Sequence, residues 1–179
     1  MHRRILLLTA LIMLPPIAQS DESSRYPLVA VEDGDTVTIQ VDGEIKRLQL
    51  DGIDAPEDAA NPKLAKDIER TGLSSTSLLA LGQAATTHLK RLVAPGDALE
   101  VAGDLAGSDR YGRIPVFISK EKLDLNAAMV ADGYAVVLKR ASIAPEIMAE
   151  LSALQRQAQQ DKRGLWGSHP EETLRWSGL

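Results

Sequence analysis

Leu28-Val29-Ala30-Val31-Glu32-Asp33-Gly34-Asp35-Thr36-Val37-Thr38-Ile39-Gln40-Val41-Asp42-Gly43-Glu44-Ile45-Lys46-Arg47-Leu48-Gln49-Leu50 is the stretch that decides the fold. Val37, Ile39 and Val41 alternate with Thr38 and Gln40, the period of a half-buried strand. Asp42-Gly43 is a two-residue hairpin signal. Beyond it, Leu48 and Leu50 share one face while Arg47 and Gln49 share the other. Leu28 to Val31 reads as a further strand, set off by the polar run Glu32–Asp35. Three strands on short turns between Pro27 and Asp54 open a meander or a barrel.

Outward from this core the pattern changes. Residues 58–76 are polar and irregular and read as a long loop. A helix is predicted from about Ser77 to Val93, with Leu78, Leu81, Ala85, Leu89 and Leu92 at helical spacing and Pro95-Gly96 as its stop. Strands near Ala98–Ala102 and Ile114–Ile118 flank the turn Asp109-Arg110-Tyr111-Gly112-Arg113. A short helix from Asn126 to Asp132 ends at Gly133, a C-cap residue. A third starts at Pro145 and turns Ile147, Leu151, Leu154 and Ala158 inward until Gly164. Ser168–Leu179 has no periodicity and is expected to be a loosely ordered tail.

At 179 residues, one domain with a self-sufficient core is expected. An aromatic share of 3% argues against a broad base-stacking platform. The absence of Cys excludes disulfides, thiolate metal sites and a lipoprotein anchor. Residues 1–20 read as an export signal: basic His2-Arg3-Arg4, apolar Ile5–Met13, the break Pro15-Pro16, then small residues to a cleavage point near Ser20. The apolar run is shorter than the ~20 residues that span a bilayer. The mature protein is therefore expected in the periplasm or outside the cell. Removing residues 1–20 takes Arg3 and Arg4 and no acid, so the formal charge moves from −5 to −7. Such a field repels polyphosphate at long range, so a nucleic-acid partner requires local basic groups and a bound cation.

Three loop segments concentrate polar groups: Asp33-Gly34-Asp35-Thr36, Gly52-Ile53-Asp54-Ala55-Pro56-Glu57 and Asp109–Arg113. Alone, each reads as an ordinary turn or strand exit. Together they supply a parts list. Asp35 and Asp54 offer hard oxygen ligands suited to Ca²⁺ or Mg²⁺. Glu57 can accept a proton from an attacking water. Arg113 presents a planar fork that matches a phosphate. Cation, base and guanidinium are what phosphodiester hydrolysis needs.

In this order, these segments resemble the signature segments of the staphylococcal nuclease family. Leu125-Asn126-Ala127-Ala128-Met129-Val130-Ala131-Asp132-Gly133-Tyr134-Ala135 is similar to the family's second helix, and Arg163-Gly164-Leu165-Trp166 to the end of its third. The resemblance spans roughly residues 27–167. It implies an α+β, mainly β-barrel fold: a five-stranded OB-type barrel with three helices that cleaves DNA and RNA using Ca²⁺. By that resemblance Asp35 and Asp54 bind calcium with the carbonyl of Ala55, Glu57 is the general base, and Arg113 is one of two phosphate-binding arginines. Arg110 and Tyr111 fall where the family contacts nucleotide. DNA and RNA are the expected partners, as substrates of a monomer with no stable protein partner.

The sequence departs from the family at the first arginine, expected five residues before the second calcium aspartate, where Gln49 stands. Arg47 shares its face, about 6.6 Å along the strand, and either lends its guanidinium or remains a solvated barrel residue. Loss of a phosphoryl-stabilising arginine costs roughly 10³–10⁵ in rate, against enhancements of up to about 10¹⁷. Gln49 thus points to a slower enzyme sooner than to an inactive one. At the exit of the second helix, Lys139 and Arg140 stand where the type nuclease carries tyrosines. Two rival readings are a non-cleaving nucleic-acid-binding OB module and an acidic Ca²⁺-stabilised envelope protein. Neither needs Asp35, Asp54, Glu57 and Arg113 together.

Overall fold

The computed structural model describes residues 25–179, so the export segment expected over residues 1–20 lies outside the described part. In chain order the elements are β1 (Arg25–Val31), β2 (Thr36–Val41), β3 (Glu44–Leu50), β4 (Ile53–Asp54), α1 (Pro62–Thr71), α2 (Ser75–Leu92), β5 (Ala98–Ala102), β6 (Ile114–Lys120), β7 (Leu123–Asp124), α3 (Leu125–Ala131), β8 (Val136–Val137), α4 (Pro145–Gln160), α5 (Leu165–Ser168) and α6 (Pro170–Ser177).

The alternation in the first three strands closes into a barrel. β1 pairs antiparallel with β2 and β5, β2 with β3, and β5 with β6, while β3 and β6 pair in parallel to complete the ring. This is the expected five-stranded OB-type barrel. The β2–β3 register passes through Val41 opposite Glu44, and Asp42 and Gly43 both take positive φ (+50° and +86°), as a type I′ turn demands. Val37, Ile39, Leu48, Leu50 and Leu99 are wholly buried inside the barrel. Ala85 and Leu89 of α2, with Leu125 and Met129 of α3, pack against them. Burying each large side chain stabilises the fold by about 1.5–3 kcal/mol. Buried Asn126 ties α3 to the barrel: its Oδ1 accepts from Ile118 N at 3.1 Å and its Nδ2 donates to Asp51 O at 2.8 Å.

Two expectations are corrected. Residues 58–76 are not one long loop, because Asn61-Pro62 starts a helix. Asn61 Oδ1 accepts from Lys63 N and Leu64 N, both at 2.9 Å, and α1 runs to Thr71 before Gly72 turns the chain at φ +65°. Nor is Ser168–Leu179 loosely ordered. It supplies the end of α5 and all of α6, buries Thr173, and places Trp176 in a second apolar cluster with Leu64, Leu78, Leu81 and Trp166. Arg70 Nη2 donates to Trp176 O at 2.8 Å and Arg175 to Thr71 O, lacing α6 to α1. The described residues thus contain six helices; α2, α3 and α4 are the three expected. None of the helices among them is long and apolar enough to cross a membrane.

Candidate active site

Close packing at two glycines assembles the site. A Cβ on Gly34 would lie 2.7 Å from Ala85 Cβ and 2.8 Å from Ala55 Cβ, so only glycine lets the β1–β2 loop sit so tightly on α2 and the exit of β4. There Asp35 is 4% exposed. Its Oδ2 accepts from Ala55 N and its Oδ1 from Thr36 Oγ1, each at 2.9 Å. Asp33 Oδ1 in turn accepts from Asp35 N at 3.0 Å. The second glycine, Gly82 in mid-α2, lies against the peptide after Glu57, where a Cβ would stand 2.1 Å from Glu57 O. Sequence reasoning missed it. Its only signal was an isolated glycine inside a helical period.

Glu57 is held from two sides. Lys63 Nζ donates to Oε1 at 2.6 Å and Asn61 Nδ2 donates to Oε2. Lys63 Nζ also donates to Ala55 O at 3.1 Å and lies 3.1 Å from Asp54 Oδ1. Lys63, likewise missed from sequence, is delivered by the first turn of α1. The segment read as loop hid it.

Asp109 organises the turn between β5 and β6. Its Oδ1 accepts from Tyr111 N at 2.8 Å and Arg113 N at 2.9 Å, and its Oδ2 accepts from Arg113 Nε at 3.1 Å and Nη2 at 2.9 Å. Burial raises the Asp109 carboxyl, but these bonds outweigh it and hold it below the usual range. Tyr111 is 51% exposed, with Arg110 Cζ 4.7 Å and Arg113 Cζ 5.2 Å from its ring centroid. Arg47 reaches this turn by donating from Nη1 to Tyr111 O at 3.2 Å, while Nε bonds the Glu32 carboxylate at 2.8 and 3.0 Å.

Arg47, Glu57, Lys63, Tyr111 and Arg113 line one cleft of about 290 Å³, together with Asp33. Gln49 does not line it; that residue pairs in the sheet opposite Thr36 and Pro115. Arg110 lies over the Tyr111 ring and does not line the cleft. Lys139 and Arg140 are exposed in the turn after β8 and do not line the cleft.

The electrostatics are those of crowded carboxylates. Burial, then the charge of Asp35, pushes Asp33 up to about 7. Burial, then Asp54, raises Asp35; burial also raises Asp54, against the opposing pull of Lys63. For Lys63 burial disfavours the ammonium, but Asp54, Glu57 and Asp35 overcome it and raise its pKa. Among the described residues no three His, Cys, Asp or Glu side chains are gathered to hold a metal by themselves. The hard donors on hand are two Asp carboxylates and the Ala55 carbonyl, with buried Asp35 hydrogen-bonded only to neutral groups in its immediate shell. All-oxygen donors with surplus negative charge fit a hard divalent cation such as Ca²⁺.

Residues 47–168 match the family described as staphylococcal nuclease homologue. The chain belongs to the staphylococcal nuclease family. That membership makes it an enzyme of the nuclease class, a nucleic-acid hydrolase. It is 30% identical over 166 residues to an uncharacterized endonuclease of Escherichia coli, covering 92% of this chain and 90% of the relative. It is 25% identical over 146 residues to the thermonuclease of Staphylococcus hyicus, covering 80% and 76%. An uncharacterized endonuclease of Haemophilus influenzae is 29% identical over 180 residues, covering 98% and 86%. The matched family range begins within β3, so the loop carrying Asp33 and Asp35 precedes it.

Proposed function

We propose that this nuclease is a Ca²⁺-dependent endonuclease that hydrolyses phosphodiester bonds of DNA and RNA, with Glu57 activating water and Arg113, assisted by Arg47, binding the phosphate. The observation that carries the reading is the cleft itself. Two carboxylates, Glu57 and Asp33, and two guanidinium groups face a common space of about 290 Å³, beside the oxygen donors of Asp35, Asp54 and Ala55.

Each side chain has a distinct task. Glu57, 11% exposed along its side chain and oriented by Asn61, accepts the proton of the attacking water. Arg113 binds Asp109 through Nε and Nη2, so its planar fork is set before a phosphate arrives and loses little freedom on binding. Glu32 sets Arg47 in the same way. Arg47 thus takes the place that a five-residue count assigned to Gln49. Asp35, Asp54 and the Ala55 carbonyl hold the cation, which when bound supplies charge neutralisation at the phosphate oxygens. Tyr111, which lines the cleft, and Arg110, held over its ring, contact the nucleotide. The pattern of residues 1–20 supports action outside the cytoplasm.

The test is plasmid, single-stranded DNA and RNA incubated with purified mature protein, in Ca²⁺ or in chelator. Cleavage confined to the Ca²⁺ samples supports the reading. DNA binding without any Ca²⁺-dependent cleavage would leave a binding module in its place.

A further inference from the structure

The donors assigned to the cation already surround a positive group. Lys63 Nζ makes contacts of 2.6 Å to Glu57 Oε1, 3.1 Å to Ala55 O and 3.1 Å to Asp54 Oδ1. An ammonium has three N–H donors, and three acceptors occupy all of them. Two of the three, Asp54 Oδ1 and Ala55 O, belong to the proposed cation site, and the third belongs to the proposed base. A calcium ion would hold such oxygens at about 2.3–2.6 Å, so ion and ammonium compete for the same donor atoms. Two cations at contact distance in a half-buried site would also repel strongly.

The arrangement is built, not a stray surface contact. Asn61 fixes the first turn of α1 through two backbone bonds and anchors Glu57 with its amide. Arg70, Arg175 and Trp176 lace the far end of α1 to α6. The backbone of Lys63 is therefore placed, while its side chain, 37% exposed on a flexible four-carbon stem, has solvent to withdraw into.

We propose that Lys63 is a built-in competitor for the divalent cation: its ammonium holds Asp54, Ala55 and Glu57 together and must withdraw before the cation loads. Withdrawal also frees Glu57 Oε1, so cation loading and baring of the base are one event. The nuclease would then be silent without calcium for two reasons at once, a missing cation and a masked base. This inference rests on the calcium reading above.

The test compares wild type with Lys63→Met and Lys63→Gln, using calcium alone as the probe. Affinity is measured by isothermal titration calorimetry of chelator-stripped protein, and thermal unfolding is followed in chelator and in Ca²⁺. Removing the competitor is expected to tighten Ca²⁺ binding by about 5–150-fold, the usual range for coupled equilibria. It should also lower the melting temperature in chelator and enlarge the rise on adding Ca²⁺. Should Lys63→Met unfold in chelator, Lys63→Gln titrated from the calcium-loaded side against a fluorescent chelator yields the same constant. Unchanged or weaker affinity in the variants overturns the proposal, because Lys63 would then remain at Glu57 in the loaded site. Binding by neither wild type nor variant overturns the calcium reading and this inference with it.

Discussion

Replacing Gly82 with alanine puts one methyl group where the main chain of the proposed base already lies. The new Cβ would stand 2.1 Å from Glu57 O, 2.3 Å from Glu57 C and 2.5 Å from Asp58 N. A carbon and a carbonyl oxygen settle at about 3.3 Å, so the Glu57 peptide must withdraw by about 1.2 Å if the helix holds its place. A displacement near 1 Å in a catalytic group costs about 10²-fold in rate. Overpacking destabilises by about 1–3 kcal/mol, and exchanging a mid-helix glycine for alanine returns about 0.8–1 kcal/mol. The net loss is small beside the usual 5–15 kcal/mol of a domain. Gly82→Ala should therefore fold and cleave about 10²-fold more slowly. The assay is single-turnover cleavage of DNA at saturating Ca²⁺, with thermal unfolding run alongside. A folded variant that cleaves as fast as wild type refutes the idea that α2 positions Glu57 through this contact.

Three further outcomes are expected. Trp176→Ala should cost about 3–5 kcal/mol in denaturant unfolding, because Trp176 is buried under α1 and α2; a loss below about 0.5 kcal/mol would restore the view of a loose tail. Without added cation, thermal stability should be higher near pH 5 than near pH 8. Burial and then Asp35 raise the Asp33 carboxyl from 3.8 to about 7, so the folded state binds more protons than the unfolded one across that window and stability drains as pH climbs through it. Asp35 and Asp54, raised by burial as well, act with the same sign, and a melting temperature flat across this range contradicts the cluster's electrostatics. Arg47→Ala should slow cleavage by about 10²–10³-fold, the loss of one preorganised donor, whereas Gln49→Ala should leave the rate unchanged; the reverse pattern would return the phosphate role to Gln49.

The barrel was legible because its signals are local. Val37, Ile39 and Val41 alternate within one strand, and Asp42-Gly43 names its own turn, so three strands and their faces follow without tertiary knowledge. What escaped was decided by long-range contact. Asn61-Pro62 serves equally as a loop signal and as a helix start, and Leu64 and Ile68 reveal a buried face only once Trp166 and Trp176 are known to cover them. The tail carries too few apolar residues to show a period, yet one tryptophan and two arginine bonds to main-chain oxygens dock it. In the site, the carboxylates and arginines stood out as chemistry-bearing types in loops. Lys63 and Gly82 did not, since one looked like a solvated loop lysine and the other like a helix defect. Arg47 and Gln49 differ in reach. Counting positions favours Gln49, but Arg47 has the length to meet Tyr111 O and the cleft.

The most direct test of the account is single-turnover cleavage of DNA by wild type and Glu57→Gln, with Ca²⁺ affinity measured on the same preparations. Glutamine keeps the shape of Glu57 and cannot take up a proton. A rate loss of about 10²–10⁴-fold is expected, with both proteins folded and both binding Ca²⁺. Cleavage by Glu57→Gln at the wild-type rate, with Ca²⁺ bound, would contradict it.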